Sequence, residues 1–153
     1  MIIVKAEAKD ILKLWAKLGS NALGQKLFSK LLGLAIPYTG TIKGTVRHLE
    51  PGRAEVELSD HWRVRNHLSS VHAIALANLG EFTTGLSVIS QLKDTDRAIL
   101  KSVKAEYLKK ARGTLRAKAK HSSNDTFTFA EIFNSQNELV CRVTAEWLIG
   151  PKK

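Results

Sequence analysis

The chain carries one cysteine, a single acid (Glu81) between Asp60 and Asp94, and no apolar run long enough to cross a bilayer. Each shortage excludes something. Cys141 alone forms no intramolecular disulfide, and without a second cysteine or a close histidine cluster there is no case for zinc. A lone thiol suits a reducing compartment. The start, Met-Ile-Ile-Val-Lys-Ala-Glu-Ala-Lys-Asp, lacks the long apolar core and small-residue cleavage site of a signal peptide, so a cytoplasmic protein is expected. No segment is collagenous, low in complexity or disordered in composition. The 153 residues, 44% hydrophobic and 25% charged, fit one domain over 1–153.

The stretch Asn66 to Glu81 carries the most information. Ser69 or Ser70 can cap a helix here. Val71, Ile74, Ala75, Leu79 and Phe82 recur at near-helical spacing, and Ala73, Leu76 and Ala77 fill most other faces. A helix apolar almost all round is a buried one. At about 15 to 17 residues, roughly 25 Å, it is too short, and too interrupted by Asn78, Gly80 and Glu81, to span a membrane. Glu81 therefore sits as a carboxylate near the end of an apolar helix. Such a group must be hydrogen-bonded, paired or functional, because burying it alone costs several kcal/mol or its charge.

Around this helix the pattern predicts two N-terminal helices and a series of strands. Asp10 to Leu18 and Ala22 to Leu34 show helical apolar spacing, and Pro37 ends the second. Strands are expected over Gly40 to Leu49 and Arg53 to Leu58, with Glu50-Pro51-Gly52 as their turn. Ala98 to Leu108, a turn at Lys109 to Gly113, and Thr114 to His121 follow, the last alternating Leu115, Ala117 and Ala119 against Arg116, Lys118 and Lys120. Phe127, Phe129 and Phe133 share one side of a further strand. After a turn at Ser135-Gln136-Asn137 the chain returns over Leu139 to Ile149, with Cys141, Val143, Ala145 and Trp147 on one face. Alternation of this kind means one buried and one wet face, and the run reads as an antiparallel meander.

An antiparallel sheet wrapped around one apolar helix is the hotdog arrangement. The Asn66 to Glu81 segment resembles the signature of hotdog-fold acyl-CoA thioesterases, most closely the phenylacetate-pathway type. There an Asn precedes a His-Gly-Gly by six residues and an acid follows that His by nine. Both intervals recur here, from Asn66 to His72 and from His72 to Glu81. The resemblance covers about residues 38 to 149 and implies an α+β hotdog core over 38–153, preceded by an N-terminal helical segment over 1–37. It departs from the pattern at His72-Ala73-Ile74, where both glycines are missing.

The resemblance implies hydrolysis of a small or medium acyl-CoA. The amide of Ala73, with that of Ile74, would polarise the thioester carbonyl at the helix N-terminus. Glu81 of the partner subunit would attack it or deprotonate water, and Asn66 would orient the water or the carbonyl. His72 fits a helix-start residue better than a base. Thr83 and Thr84, one turn past the acid, are candidate substrate contacts. No cofactor is implied beyond the coenzyme A of the substrate, and a site shared between subunits implies a dimer or tetramer. Two other readings remain: a non-catalytic acyl-CoA or fatty-acid binder, favoured by the loss of the glycines, and a hydratase or dehydratase, which lacks its expected acid–histidine pairing. Glu81 as a structural acid would look identical in sequence.

Charge adds a less specific clue. The formal net charge is +10, and Arg97, Lys101, Lys104, Lys109, Lys110, Arg112, Arg116, Lys118 and Lys120 fall in one stretch whose only acid is Glu106. A basic sheet face would attract the phosphates of coenzyme A, with Lys109, Lys110 and Arg112 as the expected contacts. No helix-turn-helix, zinc finger or RNP-like motif accompanies the charge, so neither nucleic acid nor a membrane is an expected partner.

Overall fold

The computed structural model describes residues 8–152. Two helices, α1 (Ala8–Leu18) and α2 (Ala22–Ala35), lead into a short α3 (Pro37–Gly40). Asn21 caps α2 by accepting from the Gly24 amide at 2.9 Å, and Pro37 sits in the first turn of α3, where its missing N–H costs nothing. Phe28 and Leu32 of α2 and Ile11 of α1 join the main core, with Trp15 packed edge-on against Phe28 at 5.0 Å. The N-terminal helices thus help build the core rather than merely precede it. Residues 40–44, expected to begin the first strand, instead complete α3 and link it to β1.

Among the described residues six strands form one antiparallel sheet: β1 (Thr45–Glu50), β2 (Arg53–Leu58), β3 (Asp96–Tyr107), β4 (Leu115–Lys120), β5 (Phe127–Phe133) and β6 (Leu139–Pro151). Their order is β1-β2-β4-β5-β6-β3. Only β4-β5-β6 is a meander. Residues 109–113, expected as a tight turn, instead form part of a crossover that carries the chain from β3, at one edge, to β4 in the interior. Turn-forming composition does not reveal which strands are neighbours.

The long helix α4 (Ala73–Ile89) lies across the inner face of this sheet. A cross-strand row runs beneath it, Ala54–Ala119–Ala130–Val143–Ala105, and small side chains there let the helix approach closely. As the alternation predicts, Leu115, Ala117 and Ala119 face in while Arg116, Lys118 and Lys120 face out. Phe127 and Phe129 do share a side, and it is the outer one; Thr128, Ala130 and Ile132 fill the core. At the far end of α4, Ser90 Oγ donates to Glu50 O and accepts from Gly52 N, both at 3.0 Å. That pins the helix to the β1–β2 turn, where Gly52 adopts φ +77°. This architecture, a sheet curled on a buried helix, is the hotdog fold.

The expected basic sheet face is a mixed-charge face. One row across all six strands reads Glu106–Arg142–Glu131–Lys118–Glu55–His48, alternating acidic and basic side chains. Lys101 pairs with Glu146 at 2.7 Å, Lys104 with Glu106 at 3.1 Å, Lys109 with Glu138 at 2.6 Å, and Lys118 with Glu55 at 3.8 Å. Most of these acids come from other strands, far away in sequence, so the run of cations looks less balanced along the chain than it is in space.

Candidate functional site

The helix starts later than its serines suggest. Asn66 folds the preceding loop on itself: its Oδ1 accepts from Leu68 N at 2.9 Å, Ser70 N at 3.2 Å and Ser70 Oγ at 3.1 Å. This Asx-type turn consumes Ser70 and leaves Ser69 at φ +53°. Asn66 is thereby a loop organiser, and no hydrogen bond among the described residues uses its Nδ2. His72 is the N-cap, its Nδ1 accepting from the Ile74 amide at 3.1 Å. The Ile74 donor is therefore occupied within its own helix, whereas the Ala73 amide donates to no group among the described residues. Its N–H, at the positive end of the macrodipole, is open to a ligand oxygen.

Because α4 runs from 73 to 89, Glu81 lies at its middle and not near its end. It belongs to a stripe, Ile74, Ala77, Asn78 and Glu81, that the sheet leaves partly uncovered, while residues 82–88 are buried. The carboxylate makes no ion pair or hydrogen bond among the described residues. Burial alone pushes its pKa up from the ordinary value. Beside it, Gly85 leaves room: a Cβ there would stand 3.9 Å from Glu81 Oε1 and 3.3 Å from the Trp147 ring. The result is a half-buried, poorly solvated carboxylate with space around it, which makes a better base or nucleophile than a solvated one.

Thr83 and Thr84 do not join it. Both are fully buried. The Thr83 hydroxyl donates to Leu79 O at 2.6 Å, and that of Thr84 donates to Glu81 O at 2.9 Å while accepting from Trp147 Nε1 at 3.3 Å. Thr83 thus bonds within the helix, and Thr84 ties the helix to β6 through Trp147. Of the basic trio, Lys109 is engaged with Glu138, and Arg112 donates to Ser69 O at 3.2 Å and Leu68 O at 3.3 Å, clamping the loop before α4. Lys110 is exposed and forms no ion pair among the described residues. The crossover does bring Lys110 and Arg112 to the start of α4, because Val71 N donates to Ala111 O at 2.8 Å and Gly113 N to Asp60 Oδ2 at 2.9 Å. Asp60 also holds Arg65 at 2.6 Å, and that bond draws its pKa down.

Sequence reasoning missed Tyr107. Its hydroxyl donates to Ala73 O at 3.0 Å, joining edge strand β3 to the first turn of α4. Val103 and Tyr107 pair with Ala145 and Cys141 of β6, both buried in the core, yet are themselves about half exposed. They extend the uncovered stripe of α4 to the sheet edge. Nothing local marks a tyrosine in a strand for this place; only the crossover puts it there. Cys141, beneath it, is no nucleophile, because burial and then Glu106 raise its thiol to about 11. Among the described residues no cluster of histidines, cysteines and acids could hold a metal ion, and no helix is long and apolar enough to cross a membrane.

One geometric fact limits the chemistry. The Ala73 amide and the Glu81 side chain are eight residues apart on one helix, about 12 Å at ~1.5 Å per residue. They cannot act together on one carbonyl within a single chain.

Comparison with known proteins agrees with this architecture. No curated protein matches the chain by sequence. Among solved structures it is similar to a structural-genomics target, APC5556, at 25% identity and TM-score 0.80, with 95% of this chain and 99% of that one covered. It is also similar to PA5026 of Pseudomonas aeruginosa, described as a probable thioesterase, at 18% identity and TM-score 0.74, covering 83% of this chain and 95% of that one. A third, smu.793 of Streptococcus mutans, was solved bound to acetyl CoA; it is 20% identical at TM-score 0.63, with 72% and 90% covered. A family profile described as a domain of unknown function, DUF4442, matches residues 24–149, from the first turn of α2 to near the end of β6. With most of its length matched, the chain is a member of the DUF4442 family, built on the hotdog fold.

Proposed function

We propose that the protein is an acyl-CoA thioesterase acting as a homodimer or a larger even assembly. The observation that carries this reading is Glu81, a poorly solvated carboxylate with no ion pair or hydrogen bond among the described residues, at the middle of a buried helix and on the stripe of that helix left partly open. Ile74 and Ala77 beside it, with Val103 and Tyr107 on the adjoining edge strand, form an apolar surface suited to a second copy. A two-fold contact there would bring Glu81 of one subunit towards the Ala73 amide of the other, which the separation within one chain requires. The acetyl-CoA complex of the S. mutans neighbour and the probable thioesterase from P. aeruginosa favour coenzyme A thioesters as the substrate class.

In this mechanism the Ala73 N–H donates a hydrogen bond to the thioester oxygen and stabilises the negative charge that develops there. Glu81 of the partner subunit either attacks the carbonyl carbon, expelling the coenzyme A thiolate and leaving an anhydride for water to open, or takes a proton from the attacking water. Either route yields a carboxylic acid and a free thiol. Coenzyme A enters as part of the substrate, and no separate cofactor takes part. Lys110, at the mouth of the helix start, is the remaining candidate from the basic trio for a coenzyme A phosphate. The cytoplasm, where coenzyme A esters are made, is the location that fits.

A non-catalytic acyl-CoA or fatty-acid binder is the competing reading. It is favoured by the Ile74 amide being already bonded to His72, which leaves one donor where two glycine amides would stand. No specific observation favours a hydratase, and the Nδ1 of His72 is already engaged as the cap of α4. The test is thiol release from short, medium, long and aromatic acyl-CoAs by the native protein and by Glu81→Gln. Release that the substitution abolishes supports hydrolysis. Saturable binding without release by the native protein would establish the binder instead.

A further inference from the structure

A second cleft lies between α2, α3 and the beginning of β1. It encloses about 630 Å³, within the range of small-molecule sites. Its walls include Leu34 and Pro37, and Phe82 of α4 lines it from the core side. The hydroxyl of Ser29, also in the lining, is satisfied: it donates to Gln25 O at 2.7 Å and accepts from Val46 N at 2.8 Å. α3 stays close against α2 because Gly33 and Gly40 meet backbone to backbone; a Cβ on Gly33 would stand 3.1 Å from Gly40 Cα.

Three cations stand along the same cleft: Lys26 and Lys30, one turn apart on α2, and Lys43 at the approach to β1. All three are exposed, and none of their ammonium groups forms an ion pair or hydrogen bond among the described residues. Among the described residues no acidic side chain lines the cleft. This contrasts with the sheet face, where most lysines are paired. Three ammonium groups around an apolar recess leave one kind of small ligand well matched, with a negative head and a hydrocarbon body. A neutral apolar molecule would not use the lysines, and a polyanion would not use the recess.

We infer that this cleft binds a single-chain anionic amphiphile, its carboxylate or phosphate head held by Lys26, Lys30 and Lys43 and its chain lying against Leu34, Pro37 and Phe82. Its lining shares no residue with the open stripe of α4, although Phe82 adjoins Glu81 in sequence and Asn78 Nδ2 donates to Tyr38 O of α3 at 3.5 Å, and binding here requires no thioester hydrolysis.

Calorimetric titration with dodecanoate, dodecyl phosphate and dodecanol, each below its micelle concentration, tests this. The native protein should bind one molecule of either anion about tenfold or more tightly than the alcohol. The tighter of the two anions names the head group. Replacing the three exposed lysines together (Lys26→Ala, Lys30→Ala, Lys43→Ala) should erase the preference for the anions, and Leu34→Glu should weaken all three ligands. Circular dichroism confirms that each variant is folded. Equal affinity for the alcohol, or anion binding that survives the triple substitution, would overturn the assignment. Thiol release measured on the same samples keeps the two proposals apart. Dodecanoate binding without thiol release leaves the cleft standing and removes the thioesterase; thiol release without cleft binding does the reverse.

Discussion

Gly80 on α4 lies so close to Val143 on β6 that a Cβ added there would overlap the valine Cβ and Cγ2. Since the valine Cβ is itself involved, no side-chain rotation relieves the overlap, and helix and strand would have to separate. Gly80→Ala should therefore destabilise the fold. Alanine gains about 1 kcal/mol in helix propensity, while overpacking costs ~1–3 kcal/mol and falls at the upper end when backbone must move. A net loss of stability is expected in urea unfolding, with the m-value unchanged. A variant as stable as the native protein would mean that α4 does not pack on β6 this closely.

Glu81 should cost the protein stability at neutral pH. Burial raises its pKa in the folded state above the ordinary 4.5, so the folded chain holds this proton more tightly than the unfolded one. The acid therefore imposes no penalty below about pH 4.5, and the penalty grows as pH rises through the folded-state pKa. Glu81→Gln should melt higher than the native protein at pH 8 and at about the same temperature at pH 4. A lower melting temperature at pH 8 would mark Glu81 as a structural acid with a partner. Stability sacrificed at one residue is the usual sign of a working group.

These two residues show what the sequence could and could not reveal. The helix, its length and the inward faces of β4 and β6 follow from periodicity, because residues 2 or 3.6 positions apart must share a face. Ser69 and Ser70 misplace the start because Asn66 captures the loop, and His72, not a favoured cap, takes their role. The β3 crossover and the pairing of Lys101 and Lys118 depend on which strands are neighbours, which no local pattern encodes. Glu81 stands out by its isolation among apolar residues. The openness of its stripe does not, since Ile74 and Ala77 read as core whether their cover is this chain or another.

The same stripe gives a test of assembly. Ile74 is 56% exposed, so Ile74→Arg should leave the single chain folded. If a second copy covers it, a buried unpaired charge there costs several kcal/mol and weakens association by about 100-fold or more. Light scattering should give a native mass of at least twice 16.9 kDa and shift the variant towards one chain, with thiol release lost alongside. A native protein that stays monomeric at working concentration would end the shared-site mechanism.

His121 should set a limit on the acid side. It is 4% exposed, its Nδ1 lies 2.8 Å from Thr128 Oγ1, and its carbonyl accepts from Gln91 Nε2 at 3.0 Å, where the sheet meets the end of α4. Burial holds its pKa below the ordinary 6.5, with Asp125 opposing the shift more weakly. The unfolded chain then binds the proton more readily, so this contribution to stability is complete well above pH 6.5 and is lost as pH falls from there towards the folded-state pKa. His121→Asn keeps a polar atom near the Nδ1 position for Thr128 but cannot titrate. Urea unfolding from pH 7.5 to 5 should show the native protein losing stability relative to this variant. Parallel curves would mean that the imidazole takes up its proton in place, with Asp125 able to offset its burial.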